Sequence, residues 1–217
     1  LSWMTMQLKN MLSIPDSNIY STIDKKAVAQ FNSRHKGTKY ELQVKRGAKF
    51  GGGDILNARI LILYANPGYN PNIDARRKNT FQREGWPLAA LHEDAAQKMP
   101  GPHRWLSSAL GSLINIYGAE FISQTVATIN IVPWSSTAYK ASCLLPSREI
   151  QLSLAQNAAQ RGALLVAVRA RKAWSPVLDA FPDQVVATRN PRSPYISPGN
   201  LAPQNWERVL AALNSVQ

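Results

Sequence analysis

The chain has 217 residues, 45% of them hydrophobic and 18% charged, with 12 Gly and 14 Pro. That is the profile of a globular domain with a sizeable core, and it excludes disorder, collagen-like sequence and a repeat array. Lys and Arg total 25 against 13 acidic residues, a net charge of +12, which suits a polyanionic partner such as nucleic acid. The apolar stretches fall short of the ~20 residues that a membrane-spanning helix needs. With no leader pattern visible, the chain reads as a cytoplasmic protein, and as a monomer.

Cys143 is the single cysteine, so neither an internal disulfide nor an iron–sulfur cluster is expected. His35, His92 and His103 fall in no metal-ligand spacing. A site without metal or cofactor is expected.

Residues 1–55 lack strong periodicity, carry a helix around 24–33 and end in Gly51, Gly52 and Gly53. They read as a basic N-terminal extension: nine Lys and Arg against three acids lie in the first 50 residues. The remaining 56–217 read as an α/β domain. RILILYA at 59–65 is a short apolar run stopped by Asn66, Pro67 and Gly68, as a parallel strand buried on both faces requires. Similar runs recur at 125–131, 163–168 and 184–188. Helical patterns lie between and after them at 103–117, 147–160, 172–180 and 203–213. The alternation predicts a three-layer α/β/α fold around a mainly parallel, four-stranded sheet.

Ligands of such sheets sit beyond the carboxyl ends of the strands. Those ends carry Asn66-Pro67-Gly68-Tyr69, Asn130 followed by Pro133-Trp134, and Asn190-Pro191-Arg192-Ser193-Pro194. A lone Asn-Pro turn is unremarkable, but three strand-end asparagines on one rim suggest a site.

Four segments resemble the uracil-DNA glycosylase superfamily, in the style of its mismatch-specific and single-strand-selective branches. LILYANPGYN at 61–70 resembles the first catalytic motif, and ATINIVP at 127–133 the central strand whose Asn meets the base. LLVAVRARKAW at 164–174 is similar to the valine-rich strand and helix start, and TRNPRSPYISPGNLAPQNW at 188–206 to the second catalytic motif and final helix. Two departures stand out: Ala65 precedes Asn66 where a glycine is usual nearby, and Arg192 interrupts the usual Pro-Ser.

The resemblance implies a monofunctional DNA glycosylase that hydrolyses the N-glycosidic bond of a flipped-out, uracil-like, damaged or 5-modified pyrimidine, in base-excision repair or antiviral defence. Asn66 and Asn190 would be the catalytic pair, with both amides converging on one pocket. Asn66 would orient water, and Asn190 would donate to the base O2 as charge grows there, helped by loop N–H groups from Arg192 onward. Asn130 would read the base edge and Phe81 would stack on it, with Tyr69 and Trp134 as rivals. Gly68, where the strict uracil-removing branch has Tyr, implies a pocket open to 5-substituents, up to hypermodified phage cytosines. Arg192, Ser193 and Tyr195 would enter the gap left by the flipped base, while Arg76, Arg77, Lys78 and Lys172 would meet phosphates.

Trp105, Trp174 and Trp206 read as core anchors. No lysine lies in the motifs, so coupled strand cleavage is not expected. The alternatives are a non-catalytic nucleic-acid-binding module on the same fold and, more distantly, hydrolysis of a free nucleoside or nucleotide.

Overall fold

The structure, a computed structural model, describes residues 17–70 and 81–215. Its centre is strand β2 (Ile60–Tyr64), in which every residue is buried. Strands β3 (Val126–Asn130) and β4 (Leu164–Ala167) flank it in parallel, and β5 (Val185–Ala187) adds to β4. All four parallel strands lie within the apolar runs that predicted them.

A fifth strand, β1 (Gly51–Gly52), pairs antiparallel with β3, giving the order β1-β3-β2-β4-β5. The four-strand expectation is corrected here. Two glycines have no side chains to pack and no strand propensity, so β1 exists through backbone approach alone. A Cβ on Gly51 would lie 2.1 Å from the Thr128 carbonyl oxygen. Gly51→Ala is therefore expected to part β1 from β3 at a cost of about 1–3 kcal/mol, read as a lower denaturation midpoint.

Side chains alternate across the sheet. Leu61, Leu63, Ala127, Ile129 and Leu165 join one apolar cluster with Ile150, Leu154 and Ala158 of helix α6 (Arg148–Gln160) and Trp174 and Val177 of α7 (Arg171–Leu178). Ile60, Ile62, Val126, Val166 and Val186 join a second. There they meet Leu106 of α3 (Pro100–Ala109), Leu113 of α4 (Gly111–Tyr117), Ile122 of α5 (Ala119–Thr125), and Trp206 and Val209 of α8 (Pro203–Asn214). A short α2 (Ala95–Lys98) precedes α3.

The helix expected at 103–117 is two helices, broken at Leu110. The break is useful: the Ala109 carbonyl accepts the Ile196 N–H at 2.8 Å, tying the loop after β5 to α3. Helix α1 (Ser17–His35) extends the helix expected at 24–33. It belongs to the same core, since Tyr20, Val28 and, beyond the helix, Leu42, Ala48 and Ile55 all enter the first cluster. Asp24, fully buried, accepts Trp134 Nε1–H at 2.8 Å, Ser147 N–H at 2.9 Å and Ser147 Oγ–H at 2.6 Å. One carboxylate thereby joins α1, the segment after β3 and the start of α6. Among the described residues no helix is long and apolar enough to cross a membrane.

Candidate functional site

A large open cleft lies beyond the carboxyl ends of β2 and β3. Its lining includes Tyr64, Asn66, Gly68, Tyr69, Phe81 and Asn130, so the structure gathers the first-motif residues, the central-strand Asn and the proposed stacking Phe. Tyr64 and Asn130 are register partners across β2 and β3. Their side chains therefore leave the same face of the sheet.

Asn66 is held by its amide nitrogen. Nδ2 donates to Ser136 Oγ at 2.8 Å and to the Pro67 carbonyl at 3.1 Å, and Ser136 Oγ in turn donates to the Ala138 carbonyl at 2.8 Å. This network decides the amide orientation. A carbonyl can only accept, and the Ser136 proton is already engaged on Ala138, so both partners of Asn66 require N–H donors. Oδ1 is left with no hydrogen bond among the described residues. The loop beneath is zipped to the 135–138 segment by Tyr69 N–H to Ser136 O at 3.1 Å and Ser136 N–H to Pro67 O at 3.3 Å.

Asn130 is fixed by the same logic. Its Nδ2 donates to the Lys49 carbonyl at 3.1 Å, and its backbone N–H to the Phe50 carbonyl at 2.7 Å. One N–H and Oδ1 remain, a planar donor and acceptor suited to a base edge.

The aromatic residues divide differently from the sequence reading. Trp134 is 2% exposed and bonded to Asp24, so it is core rather than a stacking rival. Phe81 is half-buried, with its ring 5.9 Å from that of His92 and the Lys98 ammonium 4.7 Å from its centre. Tyr69 lies under the Arg46 guanidinium, 4.9 Å away. Trp174 and Trp206 are buried as expected, but Trp105 is 42% exposed, borders the cleft and sits 4.9 Å from the Tyr64 ring. Its core-anchor reading is corrected. The apolar stripe is Leu106, Ala109, Leu110 and Leu113, all buried, and Trp105 falls outside it. That periodicity was available in the sequence.

The Tyr64 hydroxyl is buried with no hydrogen bond, and burial raises its pKa. Burial likewise pushes the Cys143 thiol to about 12, leaving it protonated and inert as a nucleophile near neutral pH.

The second-motif loop stands apart from this cleft. Asn190 is exposed and absent from its lining, and Pro194 is the residue of that loop that reaches it. β5 is two strands from β2, which sets their ends about 10 Å apart. Asn190 Oδ1 accepts the Arg192 N–H at 2.9 Å, and the Asn190 carbonyl accepts the Ser193 N–H at 3.1 Å. Those loop N–H groups are spent within the turn rather than offered to a ligand, while Asn190 Nδ2 remains available.

The organiser of this loop is Asn200, which sequence reasoning missed. It is 7% exposed; Oδ1 accepts Asn190 N–H at 3.0 Å, and Nδ2 donates to the Ser193 and Tyr195 carbonyls at 3.2 and 2.8 Å. Its setting, Ser-Pro-Gly-Asn, signals only a turn. Arg192 and Tyr195 are exposed and Ser193 is half-buried, above the buried Ile196. Arg169, at the end of β4, borders the cleft and donates to the Arg192 carbonyl at 2.9 Å, linking loop and cleft.

Charge follows the same geography. Arg46, Lys49, Arg83, Arg104 and Arg169 line the cleft against Asp54 and Glu84. Arg76, Arg77 and Lys78 lie outside the described residues, and Lys172 is exposed on α7. His103 also borders the cleft; its Nδ1 is 2.8 Å from the Ala90 carbonyl, which can only accept, so Nδ1 is the donor of that bond. Comparison with protein-family models, curated proteins and solved structures finds no match for this chain.

Proposed function

We propose that the chain is a DNA N-glycosylase of the uracil-DNA glycosylase kind, built as a three-layer α/β/α domain. One observation carries the proposal: Asn66 lines the cleft with its amide nitrogen tied down and, among the described residues, its carbonyl oxygen unengaged. An amide oxygen held this way accepts a hydrogen bond from a water O–H and so aims the lone pair of the water oxygen, which is what hydrolysis through a sugar cation asks of a weak base. Asn130, beside it, supplies one acceptor and one donor for the edge of an extruded pyrimidine. Phe81, Tyr69 and Trp105 offer aromatic faces for bases, and Arg46, Lys49, Arg83, Arg104 and Arg169 give the cleft the sign that a phosphate backbone requires. The exposed Arg192–Tyr195 loop suits the gap that base flipping opens.

The second reading, a nucleic-acid-binding module without catalysis, has an observation of its own: the second-motif Asn190 does not border the Asn66 cleft. Both readings require polyanion binding, so the observed affinity should fall steeply with salt, with a log–log slope of about −0.9 per duplex phosphate contacted. A titration with flat response would remove both.

Substrate range tests the glycosylase reading. A Cβ on Gly68 would meet nothing within 4 Å, so Gly68→Tyr is expected to fold and to place a ring where the cleft is open. Activity on 5-substituted pyrimidines should fall by a factor of about ten or more while any activity on uracil is retained, because a steric gate discriminates by volume. Unchanged rates on 5-substituted substrates would contradict an open pocket at this position.

A further inference from the structure

The turn that leads into β1 places two cations inside the cleft. Arg46 closes a short 3-10 turn (Val44–Arg46), Gly47 follows with φ of 70°, and Lys49 is anchored to β3 and the segment after it. Its N–H donates to the Pro133 carbonyl at 2.6 Å, and its carbonyl accepts Asn130 Nδ2 at 3.1 Å. Arg46 lies on the ring of Tyr69, the residue that follows Gly68. Both cations line the cleft, and among the described residues neither pairs with a carboxylate. Asp54, also in the lining, spends its carboxylate on the Leu56 and Asn57 N–H groups and on Asn57 Nδ2. Burial lowers the pKa of Lys49, and the charge of Arg46 lowers it further. Two cations that line one cleft without a carboxylate partner among the described residues repel each other, and a bound anion relieves that repulsion.

We propose that Arg46 and Lys49 form an anion subsite, which takes an anionic oxygen group of the bound strand beside the base that Asn130 reads. The inference rests on the nucleic-acid reading above and deepens it. A guanidinium fork and an ammonium lining the same cleft suit phosphate or carboxylate oxygens. Two parts of a substrate carry such a group: a backbone phosphate, or an anionic substituent at the pyrimidine 5-position reaching past Gly68. The subsite makes the segment before β1 part of the functional surface.

The test is binding of labelled oligonucleotides by fluorescence anisotropy, using the full chain. Wild type is compared with Arg46→Gln combined with Lys49→Met, and with the charge-keeping pair Arg46→Lys and Lys49→Arg, with thermal midpoints recorded to verify folding. The neutral pair is expected to bind about tenfold or more weakly, and the charge-keeping pair to fall between it and wild type, because a lysine at 46 keeps the charge and gives up the guanidinium fork. If the anion is a phosphate, the duplex salt slope becomes less negative by about 0.9 for each cation removed, and a methylphosphonate beside the target base erases the difference between wild type and variant. If it is a base substituent, that difference survives methylphosphonate and disappears when a 5-carboxyl group is exchanged for 5-methyl. Equal binding by wild type and neutral pair on every oligonucleotide overturns the subsite, as does equal loss in the neutral and charge-keeping pairs. Base release is scored separately: its absence with the charge dependence intact counts against the glycosylase reading alone.

Discussion

Replacing Asn66 with Ala is expected to slow base release by about a hundredfold or more while DNA affinity stays within a few-fold of wild type. The reason lies in the hydrogen-bond network. Ser136 Oγ and the Pro67 carbonyl hold the amide nitrogen, so in the proposed reaction the oxygen, unengaged among the described residues, would be a positioned acceptor whose service is realised as water attacks. Losing an interaction made only in the transition state lowers the chemical rate without weakening ground-state binding. Ser136→Ala should reproduce part of the defect, since it frees the Asn66 amide to rotate. Parallel single-turnover rates and binding isotherms check the split. An equal loss of rate and affinity in Asn66→Ala would reassign the residue to binding.

The largest effect on stability is expected at Asp24. Asp24→Ala removes the acceptor of three hydrogen bonds, to Trp134 Nε1–H and to the Ser147 N–H and Oγ–H, in a position with no solvent access. A buried hydrogen bond of this kind contributes about 1–3 kcal/mol, and three bonds that share one acceptor do not add in full. A destabilisation of about 3–5 kcal/mol is expected, lowering the thermal midpoint by roughly 10 °C or more in a chain of this size. Because Asp24 joins α1 to the core, cleavage of residues 17–35 by a protease should accelerate at temperatures where wild type resists. A midpoint within 2–3 °C of wild type would mean that α1 is held by apolar contacts alone.

What was legible in the sequence follows from how each element earns its place. The four parallel strands are buried on both faces, so they must be continuous apolar runs, and Asn-Pro turns mark where two of them stop. Strand ends locate ligands in such sheets, which brought Asn66, Gly68 and Asn130 to attention before any coordinates. β1 was illegible because two glycines announce a turn, and only a backbone approach of 2.1 Å to a would-be Cβ reveals a strand. Asp24 was illegible because an acid in a basic segment reads as surface charge until its three donors, more than 100 residues away, are seen. Asn190 satisfied the strand-end rule, yet its side-chain oxygen closes its own turn and the residue sits outside the Asn66 cleft. Arg46 and Lys49 read in the sequence only as part of a basic stretch, because nothing local indicates that the approach to β1 bonds Lys49 to Asn130 and lays Arg46 on Tyr69.

The fate of the base measures most directly whether this cleft hydrolyses an N-glycosidic bond, as proposed. Wild-type protein is incubated with oligonucleotides carrying single uracil or 5-substituted pyrimidines, and the small-molecule fraction is analysed by mass spectrometry alongside gels run before and after alkali. Free base should appear in equimolar amount with alkali-labile sites, with strands intact until alkali is added and both signals lost in Asn66→Ala. Salt-sensitive binding with every base retained would contradict the account and leave a nucleic-acid-binding module in its place.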